Sequence, residues 1–562
     1  MRRVKQRVTK AYVTTGGRTA VLMSALAVAS VSCTGQKDAQ KPNILFYIAD
    51  DASYNHFSAY GCTWMNTPGF DRVASEGLLF NNCYTPNAKS APSRAVCLTG
   101  RYSWQLGAAG NHITNFPAEF MTFPEALEKN GYTIGYTGKG WAPGNPGKLA
   151  DGSPRLLTGK AWQDRKVDPP TRFIAKFDYS GNFADFLDSL EGKDSPWMFW
   201  VGPREPHRKY EYGTGVSLGG KSTGDVDRVP EYWPDNEIVR NDLLDYGYEI
   251  EYQDQHLMAI LDELESRGQL ENTIVIVTAD NGMPFPRAKA NNYEQSHHQP
   301  LAIMWGKGIR NKGRKIDDIV NFVDFAPTIM EAAGIDAQAT GMAEFSGRSL
   351  MKIFRSGKSG QVCKDRDRLI VGRERDDYGR PLNQGYPIRG IMRDGILYLW
   401  NLRPDLMPAC NPEVGYCEID GSPTKTVILD MHRRGDDFYY NLSMGLRPEE
   451  EMYNVVEDPD CMHNLAADPE FAAIKATLRN ELLEVLRSQD DPRLCGDPDV
   501  FDKYPYNVAQ DWNFFEKVES GEICAPWEIT DWINPTDYDE YVRLVKEGKI
   551  EEMAEITKGL NW

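Results

Sequence analysis

Two pairs of oxygen-bearing side chains in this sequence close apolar runs: NILFYIA (43–49) leads into Asp50-Asp51, and TIVIVTA (273–279) into Asp280-Asn281-Gly282. These side chains offer oxygen ligands only, the donor set of a hard divalent cation such as Ca²⁺ or Mg²⁺ and not of zinc. Taken singly, acids at strand ends also cap the next helix or stay solvated. Two further apolar runs deliver polar groups, YTIGYTG (132–138) ending at Lys139 and WMFWVG (197–202) running on to Pro206-His207. An imidazole titrates near working pH, which suits His207 to proton transfer. In SAPSR (90–94), Ser90 stands one helical turn before Arg94, although Ser and Pro also suit an ordinary helix start.

Groups so far apart in the chain meet only if the fold collects them. The runs named above, together with LAIMWG (301–306), are short, nearly continuous in apolar residues and bounded by turn residues. That pattern reads as a parallel sheet covered on both faces by helices. TFPEALEKNG, with Thr122 as cap, and the 3.6-residue period of NDLLDYGYEIEYQDQHLMAILDELESRG supply two of those helices. In such a sheet the ligand crevice lies beyond the carboxyl ends of the strands, where four strands here carry polar groups. After about residue 360 the texture changes to strands such as GIMRDGILYLWN, turn-rich links and a helix near 471–488. This reads as a smaller α+β domain with an antiparallel sheet. Residues 496–562 are rich in Trp, Pro and acids and end in an amphipathic helix from about Asp537.

A chain of 562 residues exceeds one ordinary core, so two domains and a tail are expected. The 63 Lys and Arg against 81 Asp and Glu give a net charge of −18, which disfavours nucleic acid and anionic membrane surfaces as partners. An anionic substrate would need a local basic pocket or a bound cation. The basic opening MRRVKQR and the apolar run 20–31 form an export signal too short to span a bilayer. Its end at Ser32-Cys33 is similar to a bacterial lipoprotein signal, with Cys33 as the acylated residue; soluble secretion to the periplasm is the alternative. Of ten cysteines, Cys410 and Cys417 are the best local candidates for a disulfide, and none has zinc-like spacing.

SAPSR followed by AVCLTGR resembles the signature of the type I sulfatases, in which the Cys or Ser opening C/S-x-P-x-R becomes formylglycine and L-T-G-R guides the conversion. The DD after the first strand, GK after the next, PHR, TADNG and GRSL recur in the family's order, from Pro42 to about Ala467. Within the family, GPREPHR, DNGMPFPRAK, QLGAAGNH and GYPIRGI are most similar to the sulfamidases, the N-sulfoglucosamine sulfohydrolases.

The resemblance implies an alkaline-phosphatase-like α/β fold: a central, mostly parallel sheet flanked by helices, with a smaller C-terminal α+β domain carrying an antiparallel sheet. It makes Ser90 the formylglycine site, and an unmodified serine is indeed a weak nucleophile without an adjacent base. It implies one Ca²⁺ on Asp50, Asp51, Asp280, Asn281 and the modified Ser90. Arg94 would reach the aldehyde hydrate, Lys139 and Lys289 would hold sulfate oxygens, and His207 would protonate the leaving group. The sequence departs from the family where a His normally follows two residues after the lysine, since Trp141 stands there. His112 is the nearest substitute base, or a substrate contact. Lys289 replaces the sulfamidase Arg, and Arg287 close by, Arg373, Glu374 and Arg389 are expected to face a glycan. His297-His298 read as part of a polar loop, with a place lining the cleft as the alternative.

The sequence therefore points to an exported, calcium-dependent sulfatase acting on the N-sulfate of a terminal glucosamine in heparin or heparan-type saccharides. Its maturation would need a radical iron–sulfur enzyme, because the modified position is Ser. The alternatives are an O-sulfatase on the same or another glycan, a phosphomonoesterase or phosphodiesterase of the same superfold, and a glycan-binding protein with unmodified Ser90. The expected parts are a signal at 1–33, a catalytic domain at 42–360, an α+β domain at 361–495 and an extension at 496–562.

Overall fold

Alternation along the first strand shows why the apolar runs become a sheet buried on both faces. In β1 (Asn43–Ala49), Ile44, Phe46 and Ile48 enter one hydrophobic cluster, while Leu45, Tyr47 and Ala49 enter another on the opposite face. The structure, a computed structural model, describes residues 40–508 and 512–523. The expected export segment with Cys33 and the helix from about Asp537 lie outside the described residues.

The main sheet adds β2 (Leu78–Phe80), β3 (Thr133–Gly138), β4 (Lys160–Ala161), β5 (Trp197–Gly202), β6 (Thr273–Ala279), β7 (Leu301–Met304) and β8 (Arg314–Ile316). The eight strands lie in the order β8-β2-β7-β6-β1-β5-β3-β4. β1 pairs in parallel with β5 and β6, and β5 with β3. β7 is the exception in this mostly parallel sheet, because it runs antiparallel to both β6 and β2. Residues 280–300 stay at the carboxyl end of β6 instead of crossing the sheet, so the chain returns in the opposite direction.

Two helices matter for the site. α1 (Ser90–Thr99) is buried throughout and stops at Gly100, whose φ of 70° suits a glycine. α2 (Glu237–Ser266) starts at Asn236, whose side chain accepts from the N–H groups of Ile238 and Val239. Its apolar face, Val239, Leu243, Ile250, Leu257 and Leu261 among others, covers the Leu45–Tyr47 side of β1.

The second sheet has four antiparallel strands in sequence order: β9 (Arg368–Arg373), β10 (Ile388–Arg393), β11 (Ile396–Asn401) and β12 (Glu450–Asn454). Asp394 and Gly395, with φ of 51° and 75°, make the tight hairpin between β10 and β11. Leu478, Leu482 and Leu486 of α3 (Ala472–Ser488) join Ile391 and Tyr398 in the same cluster that covers β1, so the two sheets share a core. Among the described residues, no helix is long and apolar enough to cross a membrane.

Candidate active site

In-register pairing sets the first two ligand pairs side by side. Ala49 of β1 faces Ala279 of β6, so Asp50 and Asp280 leave adjacent strand ends together. Asp51 then adopts φ 70°, a conformation Asp tolerates, and its N–H donates to Asp280 Oδ1 at 3.0 Å. Carboxylate oxygens of Asp50, Asp51 and Asp280 lie within 4.8 Å of one another, all buried. Asn281 Nδ2 donates to Asp51 Oδ1 at 2.6 Å, leaving its Oδ1 toward Ser90. Ser90 Oγ, on the first residue of α1, donates to Asp50 Oδ1 at 3.0 Å and lies 3.3 Å from Asn281 Oδ1.

Each of these acids also has a cationic side chain. Lys139 Nζ lies 2.6 Å from both oxygens of Asp50, Lys289 Nζ lies 2.6 Å from Asp51 Oδ2, and Arg94 Nε lies 2.8 Å from Asp280 Oδ2. Burial opposes ionisation of Asp50, but Lys139, His207 and Arg94 outweigh it and hold the carboxyl well below its usual range. Burial likewise opposes the charge on Lys289, yet Asp420 and Asp51 raise its pKa above the ordinary lysine value.

The surrounding chain fixes these groups. Arg94 Nη1 donates to the carbonyls of Lys139 and Gly140 at 2.8 and 3.1 Å, and Trp200 Nε1 donates to Lys139 O at 3.0 Å. A Cβ on Gly202 would stand 1.9 Å from that same carbonyl oxygen, so the strand end tolerates only glycine. His207 Nδ1 donates to Arg208 O at 2.7 Å, which turns Nε2 toward Lys289 Nζ at 3.2 Å. Arg208 in turn makes a bidentate pair with Asp242 of α2 at 2.7 and 2.8 Å.

The donor set fits a hard divalent cation: three buried carboxylates, an amide oxygen and Ser90 Oγ converge without nitrogen or sulfur ligands. The Arg94 Nη2 atom is buried without a hydrogen-bond partner and faces the cluster, 3.7 Å from Asp50 Oδ1.

A family model described as Sulfatase matches residues 42–335, which contain every group named so far except Asp420. The chain belongs to the sulfatase family. Over 499 residues the sulfatase is 25% identical to the human N-sulphoglucosamine sulphohydrolase, covering 83% of this chain and 94% of that one. It is also 25% identical over 499 residues to a Formosa agariphila ulvan-active sulfatase, covering 84% and 88% of the two chains. A solved structure of an enzyme with its substrate D-glucosamine-2-N,6-O-disulfate superposes with a TM-score of 0.53 at 20% identity, over 83% of this chain and all of that one. The fold is that of the sulfatases, alkaline-phosphatase-like, with the small antiparallel sheet attached.

Arg94 stays within the site, held by Asp280 and by backbone carbonyls. Other expected site residues of the sulfatase lie elsewhere. Arg287 is 3% exposed, donates to the carbonyls of Leu442 and Cys461 and covers the Tyr293 ring, so it buttresses the lysine loop from behind. Arg373, Glu374 and Arg389 are at most 1% exposed and do not face a cleft. Arg373 pairs with Asp376 and Glu418, and Arg389 with Glu374 and Asp491, because strands β9 and β10 carry these arginines inward and distant acids neutralise them. His297 and His298 are also buried: His297 Nδ1 donates to Thr85 O at 2.7 Å, and the His298 ring stacks on Tyr54. Trp141 donates to Ala91 O at 2.9 Å and packs edge-on against Phe116, as a core residue under α1. Cys410 and Cys417 are free thiols that both donate to Tyr378 O.

Three residues the motifs did not reveal border the site. Lys89, next to Ser90, pairs with Asp377, whose Oδ1 lies 3.1 Å from His112 Nδ1. Burial, only partly offset by Asp377, pushes His112 down to about 4, so its imidazole is neutral at pH 7. Asp420 Oδ2 lies 2.7 Å from Lys289 Nζ. Asp377 and Asp420 sit in loops with no local signal, and only the folded chain places them here.

Proposed function

We propose that the protein is an exported sulfatase that removes the N-sulfate of a terminal glucosamine from heparin or heparan-type saccharides. The observation that carries the reaction class is Ser90 Oγ within hydrogen-bonding distance of Asp50 and Asn281, beside Lys139 and Lys289. The N-linkage draws support from the likeness to the human N-sulphoglucosamine sulphohydrolase along 94% of its length. One bound Ca²⁺ would polarise the sulfate oxygens, and formylglycine made from Ser90 would supply the nucleophile at sulfur.

The remaining work falls to this chain's own side chains. Lys139 and Lys289 present fixed ammonium groups where sulfate negative charge would lie, which offsets the repulsion of an acidic protein. Arg94 holds Asp280 and the Lys139 backbone in place. His207 Nδ1 donates its proton to the Arg208 carbonyl, so Nε2, which accepts from Lys289 Nζ, is the atom that would take up and pass on a proton. The signal-like residues 1–33, with acylation at Cys33 or cleavage for release into the periplasm, support export. Maturation of a serine supports a radical iron–sulfur partner.

The substrate D-glucosamine-2-N,6-O-disulfate of the superposed enzyme bears sulfate on both atoms, which favours 6-O-desulfation as the second reading. The test is sulfate release from N-, 3-O- and 6-O-sulfated glucosamines by protein co-expressed with the maturing enzyme, together with the mass of the Ser90 peptide. The reading expects release from the N-sulfated sugar and a peptide lighter by two hydrogens. Release from O-sulfated sugars alone overturns the linkage, and an active enzyme with unmodified serine overturns the chemistry.

A further inference from the structure

Lys289 carries carboxylates on two sides. Its ammonium meets Asp51 Oδ2 at 2.6 Å on the cation side and Asp420 Oδ2 at 2.7 Å on the other. The lysine side chain is 2% exposed, but Asp420 is 27% and His207 37% exposed, so these two are the members of the cluster open to the cleft. The Oδ2 atom of Asp420 is itself buried, which leaves the exposure on the rest of the carboxylate. Burial disfavours its charge, but Lys289, His207 and Lys89 hold the group ionised, well below the usual carboxylate range.

Sulfamates and sulfate esters differ at the atom that leaves. Hydrolysis of R–NH–SO₃⁻ with water gives R–NH₃⁺ and SO₄²⁻. The S–N bond breaks with its electron pair on nitrogen, sulfur gains the water oxygen, and nitrogen gains two protons, one of them through His207 Nε2. An ester, R–O–SO₃⁻, has no hydrogen on the bridging oxygen and releases a neutral alcohol. A fixed carboxylate beside the leaving atom therefore receives an N–H from a bound sulfamate and then a full ammonium. Facing an ester, the same carboxylate meets only lone pairs. Asp420 shares one ammonium with His207, the group that must reach the leaving atom.

Resting on the N-sulfate reading above, we infer that Asp420 selects nitrogen-linked over oxygen-linked sulfate by holding the N–H of the substrate and the ammonium of the product. Two measurements test it. In the first, calorimetry of the full-length, unmatured Ser90 protein in calcium compares glucosamine with N-acetylglucosamine at mildly acidic pH. Glucosamine is expected to bind about tenfold more tightly, with the preference lost in Asp420→Asn. In the second, the matured enzyme and the same variant turn over N-sulfated and 6-O-sulfated glucosamine. The variant is expected to lose about tenfold or more in kcat/KM on the first and less than about threefold on the second.

Equal losses on both linkages, or a glucosamine preference that survives Asp420→Asn, overturn the assignment while leaving the N-sulfate reading standing. A wild type that releases only O-linked sulfate overturns that reading, and this inference with it. Should the variant fail to fold, equal affinity of the wild type for the two sugars, or no binding of either, is decisive against it.

Discussion

Arg94 Nε lies 2.8 Å from Asp280 Oδ2, and neither side chain has any exposure to solvent. The same guanidinium holds the Lys139 and Gly140 carbonyls, so one residue of α1 ties together the ends of β6 and β3. Breaking a buried pair of this kind costs about 3–5 kcal/mol. Arg94→Ala should lower the urea midpoint accordingly. Arg94→Lys, which keeps the charge but loses the fork, should fold better yet retain less than about 1% of wild-type kcat, because Lys139 and Asp280 lose their common anchor. Activity near wild type in Arg94→Lys would contradict a positioning role.

A cation held by the carboxylate cluster would stabilise the folded state alone. Calcium at a hundred times its Kd should add about 2.7 kcal/mol, read as a rise in Tm by scanning calorimetry against a chelator control. Asp51→Asn and Asp280→Asn should each remove most of that rise. An equal calcium response in both variants would place the ion elsewhere.

Arg389 separates a structural ion-pair network from a glycan subsite. With Glu374 and Asp491 on either side and Trp104 beneath, Arg389→Ala should destabilise the protein by about 3–5 kcal/mol. The KM of the folded variant should change less than about twofold, since nothing on the substrate is lost. A large rise in KM at unchanged stability would restore the residue to substrate binding.

His112 gives a pH signature. The unfolded imidazole titrates near 6.5 and the folded one is pushed down to about 4, chiefly by burial. Between those values the unfolded chain binds the extra proton, so the contribution of neutral His112 is present above pH 6.5 and is lost as pH falls toward 4. The stability of wild type relative to His112→Gln should therefore drop over that window by on the order of 3 kcal/mol. Imidazole C2-proton shifts titrating near 6.5 in the folded state would contradict it.

Much of this fold was legible because some signals are local. Strands 43–49, 197–202 and 273–279 appear with the bounds their apolar runs suggest, and Thr122 caps its helix as expected, the structure adding a reciprocal bond from Glu125. The convergence of strand ends on Asp50, Asp280, Lys139 and His207 also followed from sheet topology. Other features depend on partners distant in the chain. Arg373 and Arg389 look like a polar surface until Glu418 and Asp491, some 45 and 100 residues later, neutralise them in the interior. Arg287 is a structural residue for the same reason, since backbone carbonyls of Leu442 and Cys461 absorb its donors. Lys89, Asp377 and Asp420 belong to no spacing pattern, and the antiparallel β7 reflects where the loop before it remains.

Ser90 is only 2% exposed and is wedged between Asp50 and the start of a helix that is itself entirely interior. An enzyme that oxidised this hydroxyl would need access to a side chain that the folded protein withholds. Were Ser90 the converted residue, chemical ripening and tertiary closure would fall in a fixed temporal sequence: the side chain rewritten first, the polypeptide collapsing around it afterwards.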